Sequence, residues 1–318
     1  AVLLGGWQNQ AAEKKYVIKF GSIAPRGTIW ARYFRKMKFD LQKKSKGRIK
    51  VKLYLGGIAG DEITMIRKMK NGTLQMVNLT GIGMGMIVPA MRVLEVPLLI
   101  KTEKQIDRAV KKLTPPLREK FKKKGFILAG WGEAGWVYLM TKQPFKKVSE
   151  LRGRKVWMPS GGKLVKESMK ELGLIPVPLG IESVLPQLQT NGIDVIYAPP
   201  SAAIGFQWYR EIKYLYNIPL TNLRNANFVS KKFFKKLPED LQKLVLQVSE
   251  ENMHKSIAAV RKENRRALKV LKKKGIVFIE PPKDQVAYLN KASRNLRKRL
   301  IGKMYSKKFL QMVLKAIR

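Results

Sequence analysis

The longest regular pattern in the chain is helical, and it limits how the chain can fold. It begins at Leu237-Pro-Glu-Asp240, where a proline in the first turn and two acids favour a helix start. It runs without a break to Lys274, and Gly275 ends it. A helix of roughly 30 residues or more is on the order of 50 Å long. Because that length exceeds one small domain, we expect this helix to span two domains.

Strand and helix patterns alternate through the rest of the chain. Tyr16–Gly21 and Arg48–Tyr54 alternate apolar and polar residues like strands, and a helical pattern after the N-cap candidate Thr28 separates them. The same alternation continues to Ile193–Tyr197, and residues 126–131 and 136–141 are predicted as two strands separated by a turn. It predicts an α/β fold with two lobes, mixed sheets rich in parallel strands, and a long helix that spans both lobes.

The lobe boundaries follow from the points where the chain crosses between the two blocks. Residues 1–15 are the remnant of a secretion signal with a tether, an ordered first strand or a cloning remnant. The other predicted units are lobe I from residues 16–135 plus about 226–252, lobe II from 136–225 plus about 253–280, and C-terminal helices over 281–318 that pack on the lobes.

Three segments have less regular patterns. Thr80-Gly-Ile-Gly-Met-Gly85 lacks the spacing of a dinucleotide loop, and we interpret it as backbone that approaches a ligand or packs tightly. Val93–Ile100 is predicted as a strand that Pro97 weakens, and Arg92 and Glu95 are expected to make structural pairs. The helix predicted over 104–124 contains Pro115-Pro116, where a break is expected.

The composition excludes several kinds of chemistry. The 318 residues include no cysteine, which excludes disulfides and thiolate metal sites, and His254 is the only histidine. We find no paired carboxylates and no nucleophile with an adjacent base. The sequence therefore predicts no catalytic residue, no metal site and no cofactor.

The charge is strongly basic, with 65 Lys and Arg against 22 Asp and Glu and a net charge of +43. The lysines occur as pairs and triplets over most predicted helix faces and form no single stripe. We interpret them as a solvated shell that binds polyanions non-specifically and in a salt-dependent way. No motif for specific nucleic-acid recognition accompanies them.

One short strand is a candidate ligand site. Val156-Trp-Met158 is an apolar run that ends at Pro159-Ser-Gly-Gly162. In α/β proteins the crevice at the carboxyl ends of strands is where ligands bind. Trp157 is therefore either a core aromatic residue or a residue that lines a cleft between the lobes.

The order of these features resembles the solute-binding receptors of TRAP transporters, of DctP type, over about residues 16–300. The segments that carry the resemblance are Gly47-Arg-Ile-Lys-Val51, Gly60-Asp-Glu62, Leu151-Arg-Gly-Arg-Lys-Val156, Gly192-Ile-Asp194, Ser230 and Leu237-Pro-Glu-Asp-Leu-Gln242. The resemblance implies an exported, periplasmic receptor that captures a small molecule and delivers it to the permease subunits in the membrane, without catalysis.

The resemblance also implies a site, and this chain departs from the family's pattern there. The usual members have an arginine at the position of Trp157, often a second one at the position of Trp136, and a polar residue at the position of Ala198. An indole cannot pair with a buried carboxylate, so we expect an uncharged or largely hydrophobic ligand. The predicted neighbours of these residues are Trp131, Tyr197, Phe206, Trp208, Arg26, Thr80 and Gly81.

Three alternatives remain open at this point. Arg26, in the first strand–helix loop, could restore binding of an organic acid. The tryptophans could instead fill the cleft and abolish binding. Finally, the chain could be a charge-modified variant in which polyanion binding dominates.

Overall fold

A computed structural model describes residues 14–318. The predicted tether over residues 1–15 therefore lies outside the described residues, apart from Lys14 and Lys15. None of the helices in the described part of the chain combines the length and the apolar character needed to cross a bilayer.

The regular elements alternate along the chain as the sequence predicts. The strands in residues 14–318 are β1 Tyr16–Gly21, β2 Ile49–Tyr54, β3 Met76–Thr80, β4 Phe126–Thr141, β5 Lys155–Pro159, β6 Ile175–Leu179, β7 Val195–Ala198, β8 Tyr214–Tyr216, β9 Thr221–Ser230 and β10 Val277–Ile279. The α-helices of the same part are α1 Ile29–Lys44, α2 Glu62–Lys70, α3 Gly81–Ile87, α4 Glu103–Lys123, α5 Lys163–Glu171, α6 Val184–Gln189, α7 Pro200–Gly205, α8 Lys231–Phe234, α9 Glu239–Lys273, α10 Lys283–Arg299 and α11 Lys307–Ala316.

The strands form one continuous mixed sheet in the order β2-β1-β3-β9-β4-β7-β5-β6, with β8 paired to β4 and β10. The pairs β1–β2, β1–β3, β5–β6 and β5–β7 are parallel, whereas β9 runs antiparallel to β3 and β4. Strand β4 pairs with β9 over residues 126–137 and with β7 over residues 138–141. It therefore connects the two groups of parallel strands.

Helix α9 has the length that the sequence predicts. Its first turn contains Glu239 and Asp240, and its C-cap is Lys274, followed by Gly275 at φ +84°. The helix packs along β4 and also contacts α1 and α7. Its buried residues include Leu241, Val245, Val248, Met253 and Val260. A single rigid element therefore lies against the strand that joins the two groups.

Three local predictions are wrong. Residues 93–100 form the end of a 3-10 helix over Pro89–Glu95 and a turn instead of a strand. Strands β1 and β9 occupy both edges of β3, so residues 93–100 have no free edge of β3 to pair with. Helix α4 continues through Pro115-Pro116 without the expected break. The sequence predicted two strands over residues 126–141, where the structure has β4 alone, with register shifts between Leu128 and Gly130 and between Glu133 and Gly135.

Candidate ligand-binding cleft

A cavity of about 220 Å³ lies where the parallel strands of both groups end. Its wall contains the residues that follow β1 and the last residues of β3, β5, β6 and β7, namely Ser22, Thr80, Pro159, Leu179 and Ala198. The carboxyl ends of neighbouring parallel strands lie at one edge of a sheet, and the loops that leave them open a crevice there. The strand order therefore accounts for the position of the cavity.

One part of the wall is aromatic. Trp157 is 6% exposed, and its indole Nε1 donates to the Leu179 carbonyl oxygen at 3.2 Å. The ring of Trp157 meets the ring of Trp208 edge to face, with centroids 5.0 Å apart, and Phe206 stacks on Trp208 at 4.9 Å. Gln207 between them has φ +60°, a left-handed conformation that turns the chain between the two stacked rings. The cluster fixes Trp157 as part of the cavity wall.

Trp30 and Tyr197 extend this wall. The indole Nε1 of Trp30 donates to the Glu133 carbonyl oxygen at 3.0 Å, which anchors α1 to β4. Tyr197 lies near the end of β7 and lines the cavity. Burial and the nearby carboxylate of Glu95 raise the pKa of the Tyr197 hydroxyl. The hydroxyl therefore stays protonated at neutral pH and can donate a hydrogen bond to a ligand.

Another part of the wall contains three buried charged side chains. Arg92 is 4% exposed and Glu95 is 1% exposed, and Arg92 Nη1 forms an ion pair with Glu95 Oε2. Glu95 Oε1 also accepts from the backbone N–H of Arg224 at 3.0 Å. The Glu62 carboxylate accepts from the Thr80 hydroxyl at 2.8 Å and from the backbone N–H groups of Thr80 and Gly83. Burial raises the pKa of Glu62 and that of Glu95.

The glycines of α3 make room for these charged side chains. A Cβ atom added at Gly81 would lie 2.0 Å from Glu95 Oε1, and one at Gly85 would lie 2.6 Å from Arg92 Cδ. At Gly83 it would lie 3.0 Å from Glu62 Oε1. The tight-packing interpretation of Gly81–Gly85 is therefore the better one, since each glycine faces one buried charged side chain.

A polar group in the wall lacks a partner. Asn225 is 5% exposed, and its Oδ1 is buried without a hydrogen-bond partner among the described residues. It lines the cavity beside Asn78, whose Nδ2 donates to Asn227 Oδ1 at 2.9 Å. This oxygen lies on the side of Gly132, where an added Cβ would be 2.2 Å away, so Asn225 is an unpaired amide packed into the wall.

The structure brings together six of the ten predicted site residues. The cavity wall contains Trp157, Trp208, Tyr197, Ala198, Thr80 and Phe206. The wall does not include Trp136, Trp131, Arg26 or Gly81.

Each of these four residues has another environment. The Trp131 indole donates to the Thr114 hydroxyl at 2.9 Å and packs against α4. Trp136 is half-buried between two hydrophobic clusters of the core. Arg26 is exposed, and its carbonyl oxygen accepts from Arg35 Nη2. Gly81 is buried behind the wall, against Glu95.

Sequence reasoning missed Trp30, Arg92, Glu95 and Asn225 as wall residues. Arg92 and Glu95 were predicted as a structural pair only, and the pair exists, but it lies at the cavity. The available signal was two opposite charges three residues apart in an apolar segment, which indicates a buried pair. Trp30 lies in the helical pattern that follows Thr28, and nothing in its spacing separates a core position from a wall position.

The described residues contain no group of three or more His, Cys, Asp or Glu side chains that could hold a metal ion. The polar side chains of the cavity are instead amides, hydroxyls, the charged side chains described above and the exposed acids Asp61 and Glu182. This arrangement can enclose a small molecule against aromatic rings and offer it a few hydrogen bonds.

The fold and the cleft suit the binding of a small molecule. The family of bacterial extracellular solute-binding proteins, family 7 (DctP), matches residues 20–307. The chain therefore belongs to this family, as the resemblance implied, and the family consists of solute-binding receptors rather than enzymes.

Individual relatives are distant in sequence and close in fold. An uncharacterized protein of Haemophilus influenzae is 26% identical over 277 residues, which cover 83% of this chain and 80% of that protein. The sugar acid binding protein DctPAm of Advenella mimigardefordensis, in complex with galactonate, has a TM-score of 0.90 at 21% identity and covers 96% of this chain and 99% of its own. A TRAP periplasmic solute binding protein of Citrobacter koseri, with bound D-glucuronate, has a TM-score of 0.86 at 24% identity, and the match covers 95% of this chain and 98% of that protein. These likenesses confirm the predicted two-lobed α/β fold.

Proposed function

We propose that this receptor serves a TRAP-type uptake system and captures an uncharged or largely hydrophobic, aromatic small molecule in the cleft. The observation that carries the proposal is that the described cavity wall has a single basic side chain, which is already part of an ion pair. Arg92 is the one Lys or Arg among the described wall residues, and Glu95 already pairs with it. A ligand carboxylate would therefore enter a site without a free cation, which is strongly unfavourable.

The aromatic wall supports the other half of the proposal. Trp157, Trp208 and Phe206 offer ring faces and edges to an apolar ligand body. The two related structures named above hold sugar acids, so the proposal assigns this chain a ligand of a different charge class. We further propose that the lobes close over the ligand at the boundaries predicted from the sequence, and that the permease subunits receive it.

The alternative of an organic-acid receptor depends on Arg26. Arg26 is exposed and is absent from the described cavity wall, which favours the uncharged ligand over this alternative. Polyanion binding through the +43 charge is compatible with either ligand class. It is measured separately, as retention on heparin that is lost at moderate salt.

The test uses neutral and anionic probes of matched shape. Phenylacetamide and phenylacetate share the aromatic body and differ in charge, and D-glucuronate serves as a polar acid. Thermal unfolding should shift upward with phenylacetamide, since a ligand at 100 times its Kd stabilises by about 2.7 kcal/mol. Binding of either acid in preference to phenylacetamide would contradict the proposed ligand class. Extraction and mass spectrometry of the ligand retained through purification provides an independent check.

Trp157→Arg tests the position directly. The arginine would replace an indole of the cavity wall, so the variant should gain affinity for phenylacetate in calorimetry. Trp131→Arg is the matched control, because it adds the same charge at a half-buried indole outside the wall. If both variants lose stability and neither binds the anion, Trp157 does not determine ligand charge.

A further inference from the structure

The charge of the cleft is opposite to the charge of the chain. Basic residues outnumber acidic ones by 65 to 22 over the whole sequence. Among the described residues of the cavity wall the ratio is reversed, with Arg92 opposed by the acids Asp61, Glu62, Glu95 and Glu182. Asp61 and Glu182 are exposed at the opening, whereas Glu62 and Glu95 are buried. Most charged residues of the chain are basic, so the excess of acidic residues in the cavity wall is a property of this site.

The fold holds Glu95 beside Arg92 from several sides. The Glu95 carboxylate pairs with Arg92 and accepts from the Arg224 backbone N–H, and its carbonyl oxygen accepts from the Thr221 hydroxyl at 3.0 Å. Gly81 and Gly85 leave the space that the two charged side chains occupy. The position of Glu95 therefore does not depend on a ligand.

We propose that Glu95 is the residue that sets the charge specificity of the cleft, acting as an internal carboxylate that occupies the arginine a ligand acid would need. This inference rests on the proposed function, because it explains how the cleft excludes anions. A ligand carboxylate near Arg92 would have to share it with Glu95, and two carboxylates at one cation repel each other. Without the Glu95 carboxylate, the buried Arg92 loses its ion-pair partner on the cavity wall, and Glu62 remains as an acidic neighbour.

Glu95→Ala should therefore create an anion site. The substitution leaves a space beside Arg92 that a small carboxylate can fill, and formate and acetate are the probes. Sodium formate should raise the melting temperature of Glu95→Ala above its value in sodium chloride. Both salts are used at the same ionic strength, so that they screen the +43 charge equally. Formamide, of the same shape and without charge, should have no such effect. From the strength of charge-assisted hydrogen bonds we expect formate to bind the variant roughly 10- to 100-fold more tightly than the unmodified chain.

Two further variants make the test specific. The double variant Arg92→Met/Glu95→Ala lacks the cation and should not respond to formate. Glu95→Gln fills the space but removes the charge, so it should gain affinity for phenylacetate without needing formate for stability. If Glu95→Ala does not fold alone, refolding from urea with and without formate, followed by circular dichroism, gives the same information.

The outcomes separate this inference from the proposed function. A Glu95→Ala variant that responds equally to formate and chloride, or a double variant that responds to formate as strongly, would overturn the role of Glu95. A preference of the unmodified chain for phenylacetate over phenylacetamide would overturn the proposed ligand class, and the formate response of Glu95→Ala does not depend on that result.

Discussion

Glu133 forms the centre of a buried ionic network, and its removal tests how the strands around the cleft are held together. Its carboxylate accepts from Asn222 Nδ2 at 2.9 Å, from Arg224 Nη1 at 2.8 Å and from Arg261 Nε at 3.0 Å. Glu133 is fully buried and the Arg224 side chain is 1% exposed. The network therefore ties together β4, β9 and α9, next to a register shift of β4.

Glu133→Ala should destabilise the fold by about 3–5 kcal/mol, because it leaves the buried Arg224 charge without its partner. Arg261 contributes less to this loss, since it also binds Asp107 through two hydrogen bonds of 2.9 and 2.6 Å. With an m-value of about 3 kcal/mol/M, the urea midpoint should fall by roughly 1 M or more. Circular dichroism at 25 °C measures this shift.

The double variant Glu133→Leu/Arg224→Met provides the decisive comparison. It replaces both charges with apolar side chains of similar volume, so its stability should lie near that of the unmodified chain. Lys243→Ala is the control for an exposed pair with Glu239 and should change stability by less than about 1 kcal/mol. The reasoning is refuted if Glu133→Ala costs under about 1 kcal/mol, or if the double variant loses as much as the single variants combined.

Two further predictions concern the buried wall of the cavity. Burial raises the pKa of Glu62 above its usual 4.5, so the native state keeps the proton to a higher pH than the unfolded state does, and the stability of the fold decreases as the pH rises above 4.5. Glu62→Gln should reduce this pH dependence of the urea midpoint between about pH 4.5 and 7. If the pH dependence is unchanged in the variant, another group causes it. Gly85→Ala should cost about 1–3 kcal/mol because its Cβ would lie 2.6 Å from Arg92 Cδ, whereas Gly27→Ala, which has no atom within 4 Å, should be nearly neutral in the same thermal unfolding assay.

The long helix and the alternating layers could be predicted because their signals are local. The proline and acids before Leu241 and the glycine after Lys274 mark the ends of α9 within the sequence itself. Strand β1 and helix α1 are equally explicit, since Thr28 accepts from the Ala31 N–H as the predicted N-cap. Such elements need no information about their partners.

The segments around the charged wall could not be predicted in the same way. Residues 93–100 have the β-branched and leucine content of a strand, but a strand also requires an edge to pair with, and edge occupancy is decided by distant β9. Gly81–Gly85 looks like a loop because glycine has a low helix propensity. The packing against Glu62, Arg92 and Glu95 offsets that cost and is invisible in the local sequence.

Six of the predicted site residues line the cavity and four do not, and the reason is geometric. Residues at the ends of parallel strands, such as Trp157 and Tyr197, could be placed at the cleft from the order of elements alone. Trp131 and Trp136 lie within β4, where the side that a residue faces depends on register. The two register shifts of β4 change that count, so residue spacing does not predict which side of the strand carries each indole.

The internal pairing of charges in the cavity bears on ligand class more directly than the total charge does. The +43 charge acts through solvent and is screened over about 8 Å at physiological salt. Glu95 acts in direct contact with Arg92, inside the wall and away from mobile ions. Glu62 in turn is held by the hydroxyl and N–H donors of Thr80 and Gly83. Because Glu95 already pairs with Arg92 and Glu62 accepts hydrogen bonds from the protein, a ligand does not have to bring a counter-charge, and a ligand carboxylate would compete with Glu95 for Arg92.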